Sequence, residues 1–315
     1  MRQIERIIFM GTSEFAVPLL KKLIQDHKKP QLIITQPDRK RGRGQKLSYT
    51  PIKELALEHD MEVYQPTSVN TPSSLDKIQA LKPDLLVTAA YGKILRKKIL
   101  NIPKYGCINL HPSLLPKYRG PSPINWAIFH GDSFTGTSVF YMKRKMDAGD
   151  IILQSRLSIQ PNDNYGTLFK KLSEKGAHDV LEAISLIERG KDSPIPQNDR
   201  YATYSHLITR ATQQIKWHKT ADEINNQIRG LAPHPCAFSY LKGKEIKILK
   251  AVPTEREHSS VGRIVEIEKF VGFLVSTGYR SLLVKEIKPQ GKSAMSAYAY
   301  SLGTNILNEE FTDQP

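Results

Sequence analysis

Three residues of this 315-residue chain have types and spacing suited to acyl transfer. Asn109 and His111 stand in Asn109-Leu110-His111-Pro112, and an isolated carboxylate follows at Asp147 in Met146-Asp147-Ala148-Gly149-Asp150. An amide, an imidazole and a carboxylate can move an acyl group without a metal or a covalent nucleophile. The amide donates to an oxygen that becomes negative, and the imidazole donates or shuttles a proton. The apolar run Gly106-Cys107-Ile108 ahead of Asn109 reads as a short strand, in which residues two apart share a face. Asn109 and His111 then project side by side, about 6 to 7 Å apart along the strand, a gap that suits gripping one small carbonyl. A carboxylate beside the imidazole would hold its tautomer and favour its charged form. Asp147 and Asp150 both qualify by type, and spacing does not choose between them.

Cys107 shares the strand face of Asn109 and His111, which raises a covalent alternative. Four strand residues separate it from His111 by about 13 Å, far beyond the roughly 3 Å of a nucleophile pair. It reads instead as a small buried hydrophobe. After His111, Ser113-Leu114-Leu115-Pro116 and Tyr118-Arg119-Gly120-Pro121 form a rigid, largely apolar loop of the kind that walls a pocket.

The elements that must position these groups alternate strand and helix. Strands are expected over 6–11, 31–36, 62–64, 84–91 and 106–111, with helices over 15–25 and 51–58, the latter opened by Pro51. The run 84–91 is nearly all apolar, as for a strand covered on both faces. This order argues a Rossmann-like, mostly parallel sheet, with ligands beyond the strand C-termini, where Gly11, Tyr91-Gly92 and His111 lie. No G-x-G-x-x-G follows the first strand, so a dinucleotide is not indicated. A helix over 121–130, a strand over 135–142 and a loop over 143–149 presenting Asp147 come next, then a long helix over 165–189. Gly190-Lys191-Asp192-Ser193-Pro194-Ile195-Pro196-Gln197 has linker composition. Beyond a helix near 221–229, short strands at turn spacing over 237–241, 246–252, 262–270, 272–276 and 282–287 suggest a small OB-like β-barrel. The expected organisation is a Rossmann-like catalytic domain over 1–190, a linker over 191–207 and an OB-like domain over 208–315.

Residues 109–123 together with 146–150 resemble the signature of the 10-formyltetrahydrofolate-dependent formyltransferases, whose trio is Asn, His and Asp in this order. The resemblance runs from Ile7-Ile8-Phe9-Met10-Gly11-Thr12 to Ala294-Met295-Ser296-Ala297, and within the family it is to members acting on initiator methionyl-tRNA. It implies that Asn109, His111 and Asp147 are the catalytic positions, and it assigns the carboxylate role to Asp147 rather than Asp150. It further implies that Ser113, Leu114, Leu115 and Pro116 form a folate-binding loop, with Tyr91, Gly92 and Ile94 walling the pterin. The co-substrate implied is 10-formyltetrahydrofolate, with no metal.

Composition bounds the same answer independently. With 39% hydrophobic residues the chain is globular; the apolar run of about 20 residues that a membrane span needs is missing, and the start lacks a signal-peptide core. Two cysteines suit a reducing compartment, and a cytoplasmic monomer is expected. Lys and Arg number 46 against 31 Asp and Glu, leaving +15, which calls for an anionic partner. Residues 38–46, Asp38-Arg39-Lys40-Arg41-Gly42-Arg43-Gly44-Gln45-Lys46, hold five of those cations. They read either as a solvated loop or as a basic arm that meets phosphates. The resemblance favours the arm, reaching the tRNA acceptor end through Arg39, Arg41, Arg43 and Lys46. Lys242, Lys244, Lys247 and Lys250 cluster across a later hairpin, where Lys244 and Lys247 become plausible tRNA backbone contacts. Other functions fit the same trio: a formyltetrahydrofolate hydrolase or a sugar-nucleotide N-formyltransferase, neither of which needs the basic arm. A non-catalytic tRNA-binding protein is a third, against which the intact trio argues.

Overall fold

The computed structural model describes residues 2–41 and 46–314; Arg43 and the side chains of Arg41 and Lys46 lie outside them. The chain divides into two compact units, one of residues 1–123, 134–158 and 169–205, the other of 124–133, 159–168 and 206–315. The division is discontinuous. Where the sequence predicts a linker over 191–207, residues up to 205 belong to the first unit. Ile195 exchanges backbone hydrogen bonds with Ile151, and Arg119 with residues 203 and 205.

The first unit contains β1 (Ile7–Gly11), α1 (Val17–Gln25), β2 (Leu32–Ile34), β3 (Arg39–Arg41), β4 (Lys46–Ser48) and α2 (Pro51–Glu58). It continues with β5 (Val63–Tyr64), α3 (Pro72–Ala80), β6 (Leu85–Ala89), α4 (Lys97–Leu100) and β7 (Cys107–His111). After α5 (Pro123–Phe129), which belongs to the second unit from residue 124 on, come β8 (Phe134–Tyr141), β9 (Ile151–Ser158) and α6 (Tyr165–Glu188), of which residues 169–188 belong here. The sheet order is β5-β2-β1-β6-β7-β8-β9. Strands β5 to β7 run parallel, while β8 is antiparallel to both neighbours. The sheet is therefore Rossmann-like and mostly parallel, as expected. Every residue of β1 and β6 is buried, which explains their unbroken apolar runs.

Local chemistry starts the helices where the sequence indicates. Thr50 caps α2 by accepting from the Lys53 amide at 3.1 Å, with Pro51 in the first turn. Thr71 does the same for α3, a helix not read from the sequence. Strand β9 was also unread; its residues alternate between buried or half-buried and exposed, and its Gln, Ser and Arg weaken the strand signal. The chain leaves β1 toward β2 and β5, then returns to β6 on the other side. The topological switch point thus lies between β1 and β6, and the C-terminal ends of β1, β6 and β7 share one sheet edge.

The second unit contains α7 (Arg210–Gln213), α8 (Ala221–Leu231), β10 (Ala237–Leu241), β11 (Lys244–Thr254) and β12 (Ile264–Glu268). It ends with β13 (Gly272–Ser276), β14 (Ser281–Pro289), β15 (Met295–Ser296) and α9 (Ala297–Gly303). Its strands pair antiparallel in the order β10-β11-β14-β13-β12, with β15 added to β14. The C-terminal segment bonds to both ends of this order. Ile264 donates to Glu309 at 2.8 Å near β12, and Thr312 donates to Tyr240 of β10, also at 2.8 Å. Trp217, Ile224, Ile228, Phe273, Val284 and Phe311 share the core of this unit, and the Trp217 indole donates to Ser239 at 3.0 Å.

Candidate active site

Asn109 and His111 occupy one face of β7 as alternation requires, between β6 and β8. Asn109 pairs in register with Thr88, whose hydroxyl donates to Asn109 Oδ1 at 2.6 Å. An amide held through its oxygen presents Nδ2 as a donor, the polarity an oxyanion requires.

The His111 side chain is 6% exposed. Its Nε2 lies 2.9 Å from the Tyr118 carbonyl, and since a carbonyl only accepts, Nε2 carries a proton there. Nδ1 faces Asp147 Oδ2 at 3.7 Å, longer than a direct hydrogen bond. The tautomer is therefore fixed by the Tyr118 carbonyl, which corrects the expectation that Asp147 holds it. Nδ1 is left as the nitrogen that can take or give a proton, with the Asp147 carboxylate opposite it.

Asp147 reaches this position through a tight local geometry. Its φ is +49°, in the left-handed region that costs a non-glycine residue energy. Its Oδ2 accepts from the Gly120 amide at 2.8 Å. Gly120 has φ +115°, and a Cβ there would stand 2.5 Å from the Ser205 carbonyl oxygen, so the position admits no side chain. Asp150, the competing carboxylate, is paired with Lys143 at 2.7 Å and does not meet His111.

The loop after His111 is fastened to the sheet. Ser113 Oγ donates to the Lys117 carbonyl at 2.6 Å, and the Ser138 hydroxyl donates to the Ser113 carbonyl at 2.7 Å. Gln154 Nε2 donates to the Leu115 carbonyl at 3.0 Å. Ser113 and Leu115 are buried, while Leu114 and Pro116 remain half-buried. The Leu114 side chain fits because Gly136 opposite has none; a Cβ there would lie 2.5 Å from Leu114 Cδ2.

At the end of β6, the Tyr91 ring is part of the core with Leu95, and burial pushes its hydroxyl pKa up to about 12. It cannot offer its face at the surface. What this turn presents is Ile94, 77% exposed, and the backbone around Gly92. The Tyr91 carbonyl accepts from Thr12 Oγ1 at 3.0 Å and Gln36 Nε2 at 2.8 Å. Cys107 is buried, its thiol pKa pushed up to about 12 by desolvation, so it is no nucleophile at neutral pH.

On either side of residues 42–45, which lie outside the described residues, the basic segment is extended. Strands β3 and β4 form an antiparallel pair with Arg39 opposite Ser48 and Lys40 opposite Leu47. Five cations and two glycines hide that pattern, because Arg, Lys and Gly carry little strand preference. Arg39 and Lys40 are exposed. The base of the pair is anchored by Asp38, which accepts from Lys53 at 2.5 Å and Gln65 at 2.8 Å. The expected contacts Arg41, Arg43 and Lys46 fall, as side chains, outside the described residues. In the second unit Lys244 is exposed, but Lys247 is half-buried and donates to the Pro235 carbonyl at 3.2 Å. Lys242 is paired with Glu309 at 2.8 Å. The lysines read as one cluster thus differ in what they can offer a ligand.

Thr88 and Gln197 shape the site without having been read from the sequence, and Tyr118 and Gly120, read there only as pocket wall, bind His111 and Asp147. Tyr118 and Gly120 act through backbone atoms, which their side-chain types cannot announce. Gln197 is 50 residues from Asp147, whose carbonyl it binds.

Residues 5–184 match the formyl transferase family and residues 207–305 match the formyl transferase C-terminal domain. A methionyl-tRNA formyltransferase from Alkaliphilus oremlandii is 43% identical over 96% of this chain and 100% of its own length. One from Bacillus thuringiensis is likewise 43% identical, over 95% of this chain and 96% of the relative. Among solved structures, an N-formyltransferase from Helicobacter canadensis, in complex with folinic acid and dTDP-3-aminofucose, superposes with a TM-score of 0.66 at 21% identity, covering 90% of this chain and 99% of that one. By the family match and by these near full-length relatives, the chain belongs to the methionyl-tRNA formyltransferase family.

Proposed function

We propose that the protein transfers the formyl group of 10-formyltetrahydrofolate to the α-amino group of methionine on initiator methionyl-tRNA. The observation that carries this reading is that Asn109 and His111 share one face of β7, with Asp147 opposite His111 Nδ1 and the Tyr118 carbonyl on Nε2 leaving Nδ1 for proton transfer. The co-substrate supplies an activated formyl carbon. Attack by the neutral amine forms the new C–N bond and puts negative charge on the formyl oxygen, which Asn109 Nδ2 and a protonated His111 Nδ1 stabilise. Asp147 sustains the imidazolium and assists removal of the amine proton. The C–N bond to the folate then breaks, and its nitrogen regains a proton.

Half-buried Leu114 and Pro116, with the Gly92 backbone and Ile94, are the surfaces offered to the folate. Arg39, Lys40 and the cations at 41, 43 and 46 make phosphate contacts with the acceptor end, and Lys244 of the second unit makes a tRNA backbone contact of its own. Lys247 contributes less, since its ammonium is already engaged. We read the protein as a cytoplasmic monomer whose first unit does the chemistry and whose second, with its C-terminal segment tying both ends of the antiparallel sheet, is an OB-like tRNA-binding domain. Among the described residues no helix is long and apolar enough to cross a membrane.

The test is acid-urea gel mobility of initiator methionyl-tRNA and of a second aminoacyl-tRNA, each incubated with the protein and 10-formyltetrahydrofolate. Formylation of the initiator species alone is expected. No product with an active folate would favour the hydrolase or sugar-formylating chemistry instead.

A further inference from the structure

Residues 118–120 contact two members of the trio in succession. The Tyr118 carbonyl accepts from His111 Nε2, and the Gly120 amide donates to Asp147 Oδ2. Between them, Arg119 is fully buried as a side chain, the largest such residue in the core. A guanidinium buried in this way is costly unless it is paired and hydrogen-bonded. Its partners are Gln197 Oε1, reached by Nε at 3.1 Å and by Nη2 at 2.8 Å, and Asp199 Oδ1 at 2.8 Å.

Holding the Gln197 oxygen fixes the amide the right way round, because Arg only donates. The Gln197 NH2 group is thereby turned toward the loop carrying Asp147. It donates to the Asp147 carbonyl at 2.9 Å and to the Gly149 carbonyl at 2.8 Å. Asp199 also accepts from Lys145 of the same loop, at 2.5 Å. The left-handed φ of Asp147 is thus held from both sides of the peptide, by Gly120 at the carboxylate and by Gln197 at the carbonyl.

We propose that Arg119 and Gln197 are positioning residues for catalysis, a clamp that keeps the Asp147 carboxylate opposite His111 Nδ1. The proposal rests on the reading of Asp147 as a member of the trio. The segment 195–205 is then part of the active-site frame and not a connection between domains. Arg119 supplies orientation, Gln197 supplies the two donors, and neither touches the reacting atoms.

The experiment is steady-state formylation by the full chain carrying Gln197→Ala, Gln197→Glu or Arg119→Lys, each alone and combined with Asp147→Asn. A misplaced group of this kind lowers kcat by about tenfold to a hundredfold. We expect that loss for Gln197→Ala, with the KM for both substrates within about twofold of the parent. Gln197→Glu keeps the acceptor for Arg119 and removes the donors to the loop, so it should lose as much as Gln197→Ala. Arg119→Lys, which keeps the charge without the fork, should show the same pattern. In the Asp147→Asn background each further loss should shrink below about twofold, the non-additivity of residues acting as one unit. Equal losses in both backgrounds, or an active Gln197→Glu, would assign Gln197 to structural support of Arg119 and overturn the proposal. Full turnover by Asp147→Asn alone would instead remove the reading of the trio beneath it.

Discussion

His111 and Asp147 are held by backbone atoms of Tyr118 and Gly120 in a buried frame, whereas Arg39 and Lys40 stand exposed on a two-stranded pair. The two regions are fixed to very different degrees. Stabilising a developing oxyanion needs donors set in advance to within fractions of an ångström, in a site from which water is excluded. Drawing in a polyanion needs charge density at roughly the right place, and the gain from released counterions tolerates many geometries. The dense hydrogen bonding around the trio and the exposure of Arg39 and Lys40 follow from that difference in demand.

Breaking the rigid region should change rate, and breaking the exposed region should change affinity. Asn109→Ala removes the oxyanion donor and should lower kcat about a hundredfold or more, leaving tRNA binding by filter retention unchanged. A comparable rise in the Kd for tRNA would erase the contrast. Combined Arg39→Ala and Arg43→Ala should raise the KM for tRNA several-fold and reduce the slope of log K against log salt by about one per lost phosphate contact, with kcat at saturation preserved. Unchanged binding across salt concentrations would return the segment to a solvated feature.

Asp84, at the opposite end of β6 from Tyr91, sharpens the comparison, because it is as firmly held as Asp147 yet lies outside the site. The hydrogen bond from the Arg6 guanidinium keeps its carboxyl below the usual range, against the opposing effect of burial, aided by backbone donors at Glu5 and Arg6. A depressed carboxylate stabilises the fold above its unfolded pKa of about 3.9, and that contribution is lost as pH falls through the lower folded value. Asp84→Asn should destabilise by about 1 to 2 kcal/mol near neutrality, with turnover intact. The gap to the parent in urea unfolding should narrow below about pH 4. A gap that widened on acidification would reverse the sign of this account. The smallest effect is expected for Cys107→Ala, which should lower the unfolding temperature slightly and leave kcat within about twofold, the thiol being a buried packing group. Loss of turnover there would reopen covalent catalysis.

Much of this was readable before the structure because it is local. Strand alternation put Asn109 and His111 on one face, and the nearly unbroken apolar run at β6 announced a sheet covered on both sides. Pro51 at its first position located α2, while its Thr50 cap came from the structure. Basic excess pointed to an anionic partner. The basic hairpin escaped, because a pair of short strands built from Arg and Lys has no hydrophobic alternation to reveal it.

What the sequence determined by itself is the set of groups and the order of the elements: amide, imidazole and carboxylate, an alternating fold, a net charge of +15. Tertiary structure decided which groups meet and in what protonation geometry. The Tyr118 carbonyl, not a side chain, sets the His111 tautomer. Lys143 draws Asp150 away and Gly120 receives Asp147. Gln197 arrives from a segment whose composition reads as a linker. Each of these is a contact between backbone or polar atoms distant along the chain, and residue type and spacing carry no record of which distant atoms a fold will bring within 3 Å.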